Sequence, residues 1–172
     1  MKEKIILFII ILIAIFFRFY NISSIPSHPS LDEVSIGYNA YSILNTGSDE
    51  FGNKFPILLR AYDDWRPALY VYFVIPFVKL LNLNILAVRL PSIALSVVTV
   101  VISYYLVKEL LSKSKDFLSI SIPLAASFLL AISPWHIYLS RLGHEANLGL
   151  SFFVTSLFFF IRFINRVGSK IG

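Results

Sequence analysis

Acidic side chains, the groups most able to do chemistry in this sequence, are concentrated in one polar segment of an apolar chain. Between residues 21 and 87 lie six of the ten acids, which are Asp32, Glu33, Asp49, Glu50, Asp63 and Asp64. A seventh, Glu145, precedes another long apolar stretch. Grouped carboxylates can supply a general base or bind a cation or polar substrate. The plainer alternative is that any loop in water needs polar residues, and the sequence leaves both open.

Asp32 and Glu33 stand at a predicted helix start. Ser30-Leu31-Asp32-Glu33 has the form of a capping box, in which Ser30 caps the helix and Glu33 reaches back to it. Apolar residues then recur at helical spacing up to Gly47, and they are Val34, Tyr38, Tyr41 and Leu44. We therefore predict an amphipathic helix on the membrane surface. The capping box does not use Asp32, so this acid is the stronger candidate for a catalytic or binding role.

A second polar cluster, Asp63-Asp64-Trp65-Arg66-Pro67, combines two acids with an arginine. An arginine here can bind a phosphate through parallel hydrogen bonds. It can equally pair with Asp63 or Asp64 and anchor the chain at headgroup level. Both interpretations stay open at this point.

A second polar loop runs from residue 133 to 147 and ends beside Glu145. An ionisable residue at the mouth of a membrane span is a candidate functional group. His136 and His144 could share a helix face, but with no third ligand in view they are a weak indication of a metal site. The sequence leaves metal binding unknown.

The composition shows what must position these residues. Apolar residues make up 57% of the chain, charged residues 15%, and the mean hydropathy is +0.76. Long apolar stretches without two-residue alternation predict an all-α polytopic helix bundle in a membrane rather than a barrel. The chain has no cysteine, which excludes disulfides, thiolate zinc sites and a cysteine nucleophile.

Basic residues predict the orientation of the chain. We predict about four spans, at residues 5–20, 88–111, 117–133 and 148–165. The basic residues that flank them are Lys2, Lys4, Lys108, Lys113, Lys115, Arg162, Arg166 and Lys170. Because such residues stay preferentially in the cytoplasm, the amino terminus is predicted inside and residues 21–87 outside a cell membrane. The net charge of +5 is thus explained by basic residues at the ends of the membrane spans, and no binding of nucleic acid is implied.

Two details complete this topology. Pro67–Ala87 is apolar but is interrupted by Pro76, Lys79 and asparagines, so we predict a second surface helix there rather than a span. Arg18, near the outer end of the first span, is expected to extend to the membrane interface.

Four short motifs, in this order, resemble the amino-terminal part of family 39 glycosyltransferases. These enzymes belong to the GT-C superfamily, with the protein O-mannosyltransferases and the aminoarabinose transferases of lipid A. The residues that carry the resemblance are Ser30-Leu31-Asp32-Glu33 with Gly37-Tyr38-Asn39-Ala40-Tyr41; Asp63-Asp64-Trp65-Arg66-Pro67-Ala68-Leu69-Tyr70; Val88-Arg89-Leu90-Pro91-Ser92; and Ile132-Ser133-Pro134-Trp135-His136 with Ser140-Arg141 and Glu145-Ala146-Asn147.

The resemblance implies transfer of a sugar, with inversion, from a polyprenyl-phosphate carrier to an acceptor hydroxyl at the outer face. It implies Asp32 as general base and Arg66 as the group that binds the donor phosphate. Glu145 would orient the acceptor or support a cation. Supporting roles are implied for Glu33, Asp64 and Arg141. The implied partners are the lipid-linked sugar, a protein or lipid/glycan acceptor and membrane lipid, with no certain cofactor and a divalent cation possible.

The sequence departs from the family pattern in two respects. Arg66-Pro67-Ala68 stands where Lys-Pro-Pro is common, so the charge is kept while the point-like ammonium is not. The chain is also short for the superfamily, and we expect it to be a fragment. Two alternatives remain, a transporter or lipid flippase and a non-catalytic membrane subunit. Coupled transport usually needs ionisable groups deep within spans, and the middles of the predicted spans carry none.

Overall fold

The computed structural model of the chain describes residues 2–61, 64–112 and 118–171. These described residues are essentially all-α, as predicted, and also form one small antiparallel hairpin that the sequence analysis did not predict. The elements are α1 Lys2–Phe19, α2 Leu31–Thr46, β1 Leu58–Ala61, β2 Asp64–Pro67, α3 Leu69–Leu81, α4 Ile85–Leu110, α5 Leu118–Ile132, α6 Pro134–Ser140 and α7 Glu145–Ile171.

The chain divides into two compact units. The first, which we call the bundle unit, comprises Met1–Phe19, Leu95–Ile137 and Gly149–Gly172. The second, the loop unit, comprises Tyr20–Ala94 and Tyr138–Leu148. Every predicted site residue lies in the loop unit.

Apolar side chains of α1, α4 and α5 form the core of the bundle unit. The buried members of this core are Leu7, Ile10, Ala14, Val100, Tyr104, Leu124 and Ala131. Thr99 Oγ1 of α4 lies 2.7 Å from Ser151 Oγ of α7, so the two hydroxyls share a buried hydrogen bond. Such bonds satisfy polar groups that neither lipid nor an apolar core could satisfy.

The prediction for Arg18 was wrong. Its side chain is fully buried, and it donates to the carbonyl oxygens of Ala14 at 3.0 Å and Ala131 at 3.1 Å. Its Nη2 also lies 2.6 Å from His136 Nδ1. Ala131 is in the last turn of α5, where carbonyls have no partner within the helix. The guanidinium satisfies these groups, which the sequence could not reveal.

Two described helices are long and apolar enough to cross a membrane, Ile85–Leu110 and Glu145–Val167. A third candidate is the pair Ser119–Ile132 and Pro134–Ser140, bent by 58°. These match three of the four predicted spans. Helix α1 has 18 residues that include Lys2, Glu3, Lys4 and Arg18, and its membrane crossing stays a prediction.

Helix α2 begins and ends where the sequence predicts. Ser30 Oγ accepts a hydrogen bond from the Glu33 amide at 3.2 Å, and Glu33 Oε2 accepts from the Ser30 amide at 2.9 Å. Gly47, at φ +72°, ends the helix in the left-handed conformation. The buried face consists of Glu33, Ile36, Gly37, Asn39, Ala40 and Ile43. The predicted apolar stripe, including Val34, Tyr38 and Tyr41, is on the exposed side, and its contact with the membrane stays a prediction.

The hairpin and α3 follow in the loop unit. Leu59 pairs with Arg66 and Arg60 with Trp65 across the two strands. Helix α3 has 13 residues and is therefore about 20 Å long, too short to cross a hydrocarbon core of about 30 Å. This length supports the prediction that residues 67–87 do not form a span.

Candidate active site

Asp32 occupies the first turn of α2, and two basic side chains contact its carboxylate. Oδ1 lies 2.8 Å from Arg66 Nη1. Oδ2 lies 3.2 Å from His144 Nε2. The Asp32 side chain keeps 34% of its surface exposed, so a molecule from outside can reach it. Helix α2, strand β2 and the segment before α7 therefore meet at one carboxylate.

The hairpin explains why Arg66 faces Asp32. Cross-strand partners point to the same side of a sheet, and the partner of Arg66 is the buried Leu59. Arg66 is therefore directed inward, and only 14% of its side chain is exposed. Within the described chain, its Nε and Nη1 have no hydrogen-bond partner, so the Nη1 contact with Asp32 has the distance of an ion pair without hydrogen-bond alignment. Buried guanidinium donors left in this state suit an incoming anion.

The sequence left open whether Arg66 pairs with Asp63 or Asp64, and the structure describes the second of these acids. Asp64 is exposed, and its Oδ1 accepts a hydrogen bond from the Trp65 amide at 2.7 Å. Its recorded hydrogen bond is thus to the adjacent backbone, whereas the ion pair recorded for Arg66 is with Asp32. Asp63 lies outside the described residues.

The orientation of the His144 ring follows from its backbone neighbour. The Ala146 amide donates to Nδ1 at 3.1 Å, so Nδ1 carries a lone pair and the ring proton of the neutral imidazole is on Nε2. Nε2 lies 3.2 Å from Asp32 Oδ2, the distance of an ion pair. Glu145 Oε2 lies 3.5 Å from Nδ1, but a nitrogen that already accepts the amide proton cannot donate to it. We therefore regard the Ala146 contact as the hydrogen bond and Glu145 as a close neighbour.

His144 connects the other predicted acid to this site. Glu145 is the first residue of α7, and it adjoins the imidazole that contacts Asp32. The structure thus brings Asp32, Arg66 and Glu145 into one neighbourhood. His144 had no predicted role in this site. Its place beside a candidate acid at a helix start was the available signal.

Beneath Asp32, Glu33 forms a fully buried ion pair with Arg89. Arg89 Nε lies 2.7 Å from Glu33 Oε1, and neither side chain is exposed. Burial would raise the pKa of Glu33, but hydrogen bonds from Arg89 and from the amides of Gly143 and Ser30 outweigh it and hold the pKa below its ordinary value. Glu33 therefore has a structural role: it is shielded from solvent, and its ion pair with Arg89 joins α2 to α4.

The Gly143 amide reaches Glu33 because this residue has no side chain. It donates to Glu33 Oε1 at 3.0 Å. A Cβ at this position would lie 2.8 Å from the carbonyl oxygen of Val88, too close for any other residue. The segment before α7, which carries His144, is thereby held against α4 within the loop unit.

Two buried arginines hold the segment that precedes α2. Arg89 donates to the carbonyl oxygens of Ile22 at 2.8 Å and Pro26 at 3.1 Å. Arg141 donates to those of Tyr20 at 2.6 Å and Ile25 at 3.0 Å. Arg141, predicted as a supporting residue, contacts this segment rather than Asp32. Arg89 was missed, although a single arginine at the start of an apolar helix signals that a partner is required.

The possibility of a metal site was left open by the sequence. Within the described ranges, no group of three or more histidine, aspartate or glutamate side chains is arranged to hold a metal ion.

The sequence profile of a known family matches more than half of the chain. This family is described as dolichyl-phosphate-mannose-protein mannosyltransferase, and the match covers residues 66–170. It includes Arg66, Arg89, His144 and Glu145, whereas Asp32 precedes it. No curated protein and no solved structure matches the chain.

Proposed function

The chain belongs to the dolichyl-phosphate-mannose-protein mannosyltransferase family, and on this premise we propose how its site transfers a sugar. The family is that of membrane glycosyltransferases of the GT-C type. The proposed donor is a sugar linked to a polyprenyl phosphate, and the proposed acceptor is a hydroxyl of a protein, lipid or glycan. The reaction takes place at the outer face of a cell membrane, with the amino terminus in the cytoplasm.

Asp32 is the proposed general base. As the acceptor oxygen attacks the anomeric carbon, the carboxylate takes its proton, and the bond from that carbon to the phosphate oxygen breaks. A carboxylate has about four lone-pair positions, of which Arg66 and His144 approach two. The exposed third of the side chain leaves room for the acceptor hydroxyl. Attack opposite the leaving phosphate inverts the anomeric configuration.

Arg66 is the proposed phosphate-binding group. The leaving polyprenyl phosphate gains negative charge in the transition state, and a fixed cation lowers the barrier most where that charge develops. Arg66 contacts Asp32 through Nη1, and its buried Nε has no hydrogen-bond partner among the described residues, so a phosphate oxygen admitted beside it would find an unused donor. The observation that carries the proposal is this partly exposed carboxylate beside a guanidinium with unused donors.

His144 and Glu145 complete the proposed site. His144, whose Nε2 lies 3.2 Å from Asp32 Oδ2, orients the carboxylate as it accepts a proton, and the Ala146 amide fixes the ring. Glu145 lies on the far side of the ring, where it is placed to orient the acceptor. The family match favours this transferase over the transporter or flippase alternative.

The test is transfer in a defined membrane. The purified chain is reconstituted in vesicles with radiolabelled mannose on a polyprenyl phosphate and a mixture of peptide and glycan acceptors. We expect labelled acceptor and an equal amount of released polyprenyl phosphate. Release of the lipid phosphate without a labelled acceptor, or neither product, would contradict the proposal.

A further inference from the structure

A hollow opens in the loop unit beside helix α2. Its volume is about 370 Å³, within the size range of small-molecule sites. It lies between α2, the turn after α2 and strand β1. The residues that line it are Val34, Ser35, Tyr38, Glu50, Phe51 and Arg60.

The hollow begins one helical turn from Asp32. Ser35 follows Asp32 by three positions on α2, so the two side chains are neighbours on the helix surface. Side chains of a helix also lean toward its amino end, which directs Ser35 toward the turn that carries Asp32. A molecule in the hollow can therefore extend a substituent toward the carboxylate.

The turn that presents Phe51 is held rigidly from behind. Asp49 is buried, and its Oδ1 accepts hydrogen bonds from the amides of Phe51 at 3.0 Å and Asn53 at 2.8 Å. Its Oδ2 accepts from Asn53 Nδ2 at 3.0 Å. The Phe51 ring nevertheless stays 55% exposed. A fixed turn that holds an aromatic ring in solvent is typical of a binding surface with little ordering cost.

The polar groups of the hollow are also positioned. Buried Asn39 donates from Nδ2 to Glu50 Oε1 at 2.9 Å and accepts from the Glu50 amide at 3.1 Å. The carboxylate keeps further lone pairs for a ligand. The Arg60 guanidinium lies 5.5 Å from the centre of the Phe51 ring, which restricts it to the rim.

The chemistry of this lining selects a class of ligand. One carboxylate and one guanidinium balance in charge, so neither a cation nor an anion is favoured over a neutral molecule. They supply an acceptor and donors side by side, and the hydroxyls of Ser35 and Tyr38 can do both. The Tyr38 and Phe51 rings offer apolar faces. A sugar ring has hydroxyls around its edge and a C–H face, which matches this combination.

We propose that this hollow binds a neutral sugar ring of the acceptor, so that the acceptor is a glycan or glycolipid. This rests on the proposed function for the role of Asp32, but binding itself does not require turnover. The hydroxyl to be glycosylated then projects from the bound ring toward Asp32.

The test measures, by saturation-transfer NMR, the binding of neutral methyl hexosides, of short neutral oligosaccharides and of a serine-rich peptide. It uses the full chain carrying Asp32→Asn, in which the proposed function expects turnover to be too slow to consume the ligand. In this background Tyr38→Ala and Phe51→Ala should each weaken sugar binding about tenfold or more, the effect of losing the apolar area that one aromatic ring buries against the sugar. Tyr41→Ala is the matched control, because Tyr41 is on the same helix, similarly exposed, and outside the hollow. It should leave sugar binding unchanged.

In the binding experiment, three results would overturn the inference: no sugar binding, equal loss in Tyr41→Ala, or binding of the peptide in place of the sugar. If the sugar binds through Tyr38 and Phe51 but the chain with Asp32 intact transfers none, the inference stands and the proposed function fails. If transfer occurs and Phe51→Ala leaves the acceptor KM unchanged, the proposed function stands and the inference fails.

Discussion

Arg66 Nη1 lies 2.8 Å from Asp32 Oδ1, joining a strand of the hairpin to the first turn of α2. The resemblance assigned these residues to different substrates, the acceptor and the donor phosphate. Under the proposed function, both roles then belong to one site. The Nε of the same guanidinium is buried and has no hydrogen-bond partner among the described residues.

Replacing Arg66 tests the donor side of the site. Arg66→Ala should lower turnover by about 10²- to 10³-fold and raise the donor KM, because a fixed cation at the leaving phosphate is removed. Arg66→Lys should be intermediate, since it keeps the charge without the planar fork. Initial rates against donor concentration provide the measurement. Lys54→Ala, an exposed cation of the same unit, serves as control, and an unchanged donor KM in Arg66→Ala would refute the assignment.

Replacing His144 tests the positioning of Asp32. His144→Phe removes the Nε2 proton and should lower kcat about 10- to 100-fold, the effect of one hydrogen bond to a charged group. His144→Gln places an amide donor at a similar reach and should recover most of that loss. The donor KM should stay constant in both variants. Equal activities of the Phe and Gln variants would show that the donated proton is unimportant.

Removing Arg89 tests the buried support beneath Asp32. Arg89→Met leaves the Glu33 carboxylate buried without its partner and should cost about 3–5 kcal/mol of stability. Thermal unfolding in detergent is the measurement. Arg60→Met, which changes an exposed arginine, is the control for loss of charge and should unfold near the wild-type temperature. A wild-type Tm for Arg89→Met would contradict the buried ion pair.

Acid should weaken the same support. Burial opposes the charged form of Glu33, but the hydrogen bonds to it prevail, so its folded-state pKa is below its ordinary value of 4.5. A depressed pKa contributes stability that is present above the ordinary value and is lost as pH falls through the folded value. The Tm should therefore fall more steeply below pH 4.5 in the wild type than in Glu33→Gln. Parallel curves for the two proteins would exclude this contribution.

Local patterns predicted the local structure well. The capping box and the end of α2 at Gly47 depend on neighbours in sequence, so their residues were sufficient to predict them. The all-α character followed from the length of the apolar stretches. The hairpin was missed because its strands are four residues each and show no long alternation.

Long-range partners were the part that could not be predicted. A sequence shows that Arg89 needs an acid, but the choice of Glu33 depends on how α2 packs within the loop unit. The prediction for Arg18 was wrong for the same reason. Its partners include carbonyls in the last turn of α5, and the sequence does not show that these lie beside Arg18. His144 acquires a role only once its ring nitrogens have named neighbours, Asp32 and Ala146.

Turnover of Asp32→Asn, measured with a radiolabelled polyprenyl-phosphate sugar, tests the central claim most directly. The matched control is Asp64→Asn, which alters an exposed acid of the same unit whose side chain accepts a hydrogen bond from the neighbouring Trp65 amide. The account predicts a loss of about 10²- to 10⁴-fold for Asp32→Asn, with donor binding retained and Asp64→Asn near wild type. Turnover in Asp32→Asn equal to that of Asp64→Asn would contradict it.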